Sequence, residues 1–233
     1  MSNWSSYWSK KNLWQSTALW RRSSKLFYNK SKKYINFNNK IILDLGCGDG
    51  SLIDYLKNDV KKIYATDISN DTIKLLKNKH KKNKKVFLKK INKNFKDLNQ
   101  LKTKFDIIIC NSVVQYFDNS KEIINLIKEV KRVSKKNTFF LVSDIHTLKK
   151  KNIFKYIFYL IIDGLFIDTL NVFLCNFYKF NYRQYRLIEK NQNLLKIDYK
   201  KFKKILLKEK YNFTLIKDRL TTNYNSLHLL FKF

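Results

Sequence analysis

The sequence predicts an α/β fold: a doubly wound, mostly parallel sheet with an antiparallel edge pair, an N-terminal helical arm and a helical insertion after the fifth strand. Three observations lead there. Short, continuous apolar runs alternate with helix-period segments from residue 40 to about residue 145. The first of those runs empties into a turn that holds three of the chain's four glycines. After residue 145 the alternation breaks, and two strand-like runs return only near the end.

Residues 1–39 are rich in Ser, Asn and Lys and carry Trp4, Tyr7, Trp8, Trp14, Leu19 and Trp20. They read as a helical arm that packs on the domain, with a lid over a pocket as the sharper alternative. The domain itself spans 40–233. Its strands are expected at 41–45, 62–67, 86–88, 105–110 and 138–143, where runs such as Ile107-Ile108-Ile109 are apolar without alternation. Such runs suit strands covered on both faces. Helices are expected at 51–57, at 70–79 with Ile73, Leu75 and Leu76 apolar, and at 121–133 with Ile123, Ile124, Ile127, Val130 and Val133 at helical spacing. Residues 148–180 read as a helical insertion and 199–210 as a helix with Phe202, Ile205, Leu206 and Leu207 apolar. Residues 213–216 and 227–231 read as the closing edge strands.

Composition narrows the class. The formal net charge is +31, which taken alone suggests nucleic acid or an anionic membrane. Only six of the 49 basic residues are arginine, however, and proline is absent. An A/T-rich genome produces that composition whatever the function, and arginine is the residue that reads bases and phosphates by paired contacts. Nucleic acid is therefore not the expected partner. Cys47, Cys110 and Cys175 are odd in number and without a C-x-x-C pair, so neither a disulfide framework nor a metal site is expected. The thiols suit a reducing, cytoplasmic setting. The apolar stretch 153–180 is interrupted by Lys155, Asp163, Gly164, Asp168 and Asn171, too often for a membrane span. Peripheral membrane contact through 148–180 is the alternative to a buried lid there.

The glycine turn carries the chemistry. It reads Leu43-Asp44-Leu45-Gly46-Cys47-Gly48-Asp49-Gly50-Ser51, strand into turn into helix. Glycines at such a turn let the backbone bend tightly and approach a ligand. The spacing is G-x-G-x-G, with Ser51 where a dinucleotide loop has its last glycine, and no G-K-[ST] follows as in a P-loop. Asp44 and Asp49 would repel a pyrophosphate but suit a ligand with a positive end. Asp67, 23 residues after Asp44, ends the second strand, where a carboxylate can accept both hydroxyls of a ribose. Its bland role is to cap the next helix, for which Ser69 or Asn70 is the better residue.

At these residues the chain resembles the class I S-adenosylmethionine-dependent methyltransferase family, in its small-molecule, type 11-like branch. The resemblance rests on Ile42 to Gly50, on Ala65-Thr66-Asp67-Ile68-Ser69 and on Phe105 to Tyr116, and covers roughly residues 40–145. It implies a Rossmann-like domain and S-adenosylmethionine as cofactor. It implies that Asp44 and the backbone of Gly46, Cys47 and Gly48 hold the methionine end, that Asp67 holds the ribose and that Ile68 packs on the adenine. Asn111 and Ser112 would border the methionyl end. Asn92 stands where the family usually has an acid near the adenine amine.

Methyl transfer is a direct displacement, and a base is needed only if the acceptor must lose a proton. Tyr116, Asp144 and His146 are the residues near the expected rim, each with a packing or capping role as its bland alternative. Without proline there is no N-P-P-Y motif, and Cys110 ends an apolar run and reads as core. The expected acceptor is therefore a small molecule such as a lipid, a quinone precursor or a sugar derivative. Methylation of RNA and cofactor binding without turnover are the rival readings. Oligomeric state has no signature in the sequence.

Overall fold

A computed structural model describes residues 17–149, 152–167, 169–170 and 194–233. Trp4, Tyr7, Trp8, Trp14, Lys150, Lys151, Asp168, Asn171 and Cys175 lie outside them, as does the insertion from residue 171 on.

The sheet has seven strands: β1 (Ile41–Leu45), β2 (Lys62–Asp67), β3 (Val86–Lys90), β4 (Phe105–Asn111), β5 (Ser134–Ile145), β6 (Phe213–Ile216) and β7 (Leu227–Lys232). Their order is β3-β2-β1-β4-β5-β7-β6. The first five are mutually parallel, while β7 runs antiparallel to both β5 and β6. The predicted mostly parallel sheet with an antiparallel pair at one edge is therefore present. Strand order reverses between β1 and β4, and a crevice opens at the carboxyl ends of strands at such a switch point.

Alternate residues of the central strands feed two cores, because successive side chains leave a strand on opposite faces. Leu43, Leu45, Ile108 and Cys110 join the core on one face. Ile42, Ile107 and Ile109 join the core on the other. Among the described residues α1 (Thr17–Ser31), α2 (Ser51–Leu56), α3 (Asn70–His80) and α4 (Ser120–Val133) cover them, α5 (Ile153–Ile162) contributes to neither core, and α6 (Tyr199–Lys208) completes the cover. On the first face α4 contributes Ile123, Ile127 and Val130, and α6 contributes Phe202 and Leu206. On the second face α1 contributes Phe27, α2 contributes Ile53 and Leu56, and α3 contributes Ile73 and Leu76.

Local sequence explains the helix starts. Side chains of Ser69, Asn119, Asn152 and Asp198 accept backbone N–H groups in the first turns of α3, α4, α5 and α6. Three apolar readings were too generous: Leu75 is 49%, Ile205 40% and Leu207 56% exposed, all on the outer sides of their helices. Short 3-10 turns at Lys96–Leu101 and Val114–Tyr116 have no period long enough to be read from sequence. Among the described residues, no helix is long and apolar enough to cross a membrane.

Candidate active site

The turn after β1 is pinned to β2. The N–H groups of Gly46 and Cys47 both donate to the Thr66 carbonyl, at 2.8 and 2.9 Å. Gly46 has φ +73°, and a Cβ there would lie 2.4 Å from Cγ2 of Val113. The first glycine is thus required by the protein's own packing. Gly48 differs: its φ is +51°, but a Cβ would meet no protein atom within 4 Å. Its bareness faces open space, as a backbone approached by a ligand requires.

Two carboxylates sit beneath this turn. Asp44 is 3% exposed. One of its oxygens, Oδ2, is buried without a hydrogen-bond partner. Burial first, and the nearby Asp67 charge second, push its carboxyl up to about 7. Asp67 accepts from the N–H of Gly48 at 3.1 Å and of Ser69 at 2.9 Å. Burial still holds it above the ordinary carboxylate range against those bonds and one from the Ile68 N–H. Ser69, not Asp67, caps α3, accepting from Thr72 N–H at 3.2 Å. Asp49 turns to α2 and accepts from the Ser51 N–H at 3.0 Å and its hydroxyl at 2.7 Å. Burial, then the Asp44 and Asp67 charges, push the Cys47 thiol well up, so it is not a nucleophile.

A second polar group gathers where β4 and β5 end. Ser112 and Asp144 both adopt left-handed backbone, φ +56° and +58°, and the Ser112 hydroxyl donates to Asp144 Oδ2 at 2.8 Å. Non-glycine residues enter that region at an energetic cost and are found where a side chain must be aimed. Asp144 also accepts from the Thr221 hydroxyl at 3.4 Å and lies 4.0 Å from Nε2 of His146. The Ser143 hydroxyl donates to Asn111 Oδ1 at 2.5 Å. Behind them His228 is 2% exposed, with its ring nitrogens 3.2 and 3.3 Å from the N–H groups of Asp144 and Leu220. Burial pushes its imidazole down to about 4. A neutral ring accepts at one nitrogen only, so one of those approaches is a hydrogen bond and the other a close contact.

Both groups face one cavity of about 410 Å³ at the carboxyl ends of β1, β2, β4 and β5. Volumes of this size hold cofactor-sized ligands. Of the residues singled out for the cofactor, Asp44, Gly46, Cys47, Gly48, Asp67, Ile68, Asn111 and Ser112 all line it. Tyr116, Asp144 and His146 line it as well. Asn92 does not: it is exposed, and its neighbours Ile91 and Lys93 form that stretch of wall. Among the described residues no His, Cys, Asp and Glu cluster is arranged to hold a metal.

Other wall residues had little or no signal in the sequence. Trp20, Ser23, Ser24 and Phe27 come from one face of α1, whose three- and four-residue spacing was the available cue. Gln115 lines the cavity with its side-chain oxygen buried and unpartnered. Thr221 and Thr222 arrive on the loop before β7, and Leu194 on a segment tied across the strand ends by Leu195 N–H to the Gln115 carbonyl and Ile197 N–H to the His146 carbonyl, both 2.8 Å.

Comparison with known proteins gives the same class. Residues 43–142 match the family model described as a methyltransferase domain. No curated protein matches the chain significantly. A solved magnesium protoporphyrin IX methyltransferase from Synechocystis PCC 6803, with bound S-adenosylhomocysteine, is similar over 99% of this chain and 92% of its own, at 15% identity and TM-score 0.55. The N-methyltransferase NodS from Bradyrhizobium japonicum WM9, also with S-adenosylhomocysteine, is similar over 100% of this chain and 98% of its own, at 10% identity and TM-score 0.59. A ribosomal protein L11 methylase from Lactobacillus delbrueckii subsp. bulgaricus is similar over 90% of this chain and 77% of its own, at 14% identity and TM-score 0.51. At these identities the structures speak for the fold.

The sheet order is that of a Rossmann-like doubly wound fold, and residues 43–142 within it match a methyltransferase domain. The chain carries a methyltransferase domain at residues 43–142.

Proposed function

We propose that this enzyme transfers a methyl group to a small-molecule acceptor held in the cavity beside Ser112 and Asp144. One observation carries the cofactor side of that reading: the buried, unpartnered Oδ2 of Asp44 beneath the glycine turn. A buried polar atom without a partner costs free energy, and a ligand ammonium would supply the missing donor. The bare backbone at Gly48 and the carboxylate of Asp67 extend the same wall and would hold the rest of the methionine end and the ribose. Ile68 would cover the adenine. Lys93, from the wall beside Asn92, borders that end.

When bound, S-adenosylmethionine supplies a methyl on a sulfonium for direct displacement. The chain's own part is then to align an acceptor and exclude water. Asp144 is the residue we place closest to a base role, aimed by its left-handed backbone and by Ser112, with His146 beside it and Tyr116 across the rim. The buried oxygen of Gln115 would take an N–H or O–H from the acceptor. Walls from α1 and from residue 194 narrow the approach, which favours a small acceptor over a folded RNA. We take residues 1–39 as an arm of the domain at 40–233. The buried, free Cys47 and Cys110 support a reducing, cytoplasmic setting.

Calorimetric titration with S-adenosylhomocysteine, NAD and NADP tests the cofactor assignment. Only the first is expected to bind, and Asp67→Ala is expected to weaken it by about tenfold or more, the value of one or two charge-assisted hydrogen bonds. Tight NAD binding would overturn the reading. Salt-sensitive methyl incorporation into RNA would overturn the choice of acceptor.

A further inference from the structure

α5 is amphipathic in the wrong sense for a helix bathed in water. Its inner side carries Tyr156 and Leu160, the latter 3% exposed. At 100° per residue Phe154, Phe158, Ile161 and Ile162 share the opposite side, and they are 80%, 57%, 58% and 60% exposed. Leu148 and Ile153, before the helix and at its first residue, are exposed as well, at 63% and 60%. Exposed apolar surface so concentrated marks an interaction face.

Three features of the molecule select what it meets. The inner side of the helix is firmly held, so the face is presented rather than loosely hanging. Asp163, ending α5, is paired through both carboxylate oxygens with Arg219, whose guanidinium stacks over Tyr159 at 4.3 Å. Lys149 and Lys155 flank the apolar side chains, the latter with its ammonium over the Tyr224 ring at 5.5 Å. The chain as a whole carries +31, which repels a second copy and attracts an anionic surface. An apolar helix face with cationic flanks on a strongly positive body is the pattern of an interfacial helix. We propose that the outer face of α5 docks on a bilayer containing anionic lipid, with Phe154 and Phe158 in the headgroup–acyl boundary.

The test is co-sedimentation of the full chain with vesicles of phosphatidylglycerol and phosphatidylcholine, and with phosphatidylcholine alone. The chain is expected to pellet with the anionic vesicles and to be released by high salt. The double variant Phe154→Ser, Phe158→Ser is expected to lose partition by at least about tenfold, since each ring withdraws a large apolar area from water. Its affinity for S-adenosylhomocysteine should be unchanged, which shows that the variant folds. A wild type that stays in the supernatant overturns the proposal, as does a variant that pellets equally. Amide exchange is the second measurement: vesicles should slow exchange across 153–162. Full protection in the free chain, from its own residues or from a second copy seen by sedimentation, overturns the proposal too. Failure of the wild type to bind S-adenosylhomocysteine would strike the methyl-transfer reading and leave the vesicle result standing.

Discussion

Asp44 is ionised only at a cost. A carboxyl displaced from its ordinary range to about 7 by burial loses on the order of 4 kcal/mol of stability when it ionises in the folded chain. The sign is fixed by proton uptake. Between the ordinary carboxylate range and about 7 the folded chain holds a proton that the unfolded chain has released, so stability from this group falls as pH rises across that window. Asp44→Asn should therefore unfold at a higher temperature than the wild type at pH 8 and show a flatter pH dependence between pH 5 and 8, measured by calorimetry. The same variant should bind S-adenosylhomocysteine about 10- to 100-fold more weakly, the range of a lost hydrogen bond to a charged group. In the wild type, affinity should rise with pH through about 7, and binding near pH 6 should release a proton, seen as a heat that changes with the ionisation enthalpy of the buffer. The two glycines separate in the same way. Gly46→Ala drives a Cβ into Val113 at a positive φ and should lose about 2–3 kcal/mol of stability in urea titrations. Gly48→Ala meets no protein atom and should lose only about 1 kcal/mol, yet impair cofactor binding.

At the scale of elements, the cavity's flank depends on a clasp between parts distant in sequence. The side chain of Asp163 at the end of α5 is 3% exposed and meets both Arg219, on the loop before β7, and Lys30 of α1 at 3.8 Å. Arg22 of α1 adds a bond to the Gly164 carbonyl at 3.3 Å. Removing the guanidinium leaves a buried carboxylate with one weak partner. Arg219→Met should lose about 3 kcal/mol in urea unfolding, and adding Asp163→Asn should restore part of it, because the uncompensated charge is then gone. The clasp was illegible in the sequence: 56 residues separate its two members, and no local period links them. The helices themselves were legible where an apolar stripe and a cap coincide, as in α4 with Asn119 before it. They were less so in α6, where Ile205 and Leu207 looked like Phe202 and Leu206 but lie outside the i to i+4 stripe that reaches the core.

For the whole molecule the dominant quantity is charge. A net +31 on a body of this size repels itself, and ion pairs such as Lys93 with Asp118, both well exposed, offset little of that. Raising sodium chloride from about 0.02 M to about 0.3 M shortens the reach of the repulsion and should raise the unfolding temperature by a few degrees. A fall instead would show that local pairs outweigh the global field.

What the sequence determined alone was everything that short-range pattern encodes: five parallel strands, the glycine turn after β1 and Asp67 at the tip of β2, the residues on which the proposed cofactor rests. Those features are local because a strand–turn–helix unit is built from neighbours along the chain. What only the tertiary structure decided was which distant groups share the cavity. Trp20 and Phe27 of α1, Gln115, and Thr221 before β7 come from three parts of the chain and meet only because the sheet order brings the strand ends together. Burial was decided there too. Asp44 reads in sequence as one more carboxylate, and its partnerless oxygen exists only once β1 is enclosed by β2 and β4.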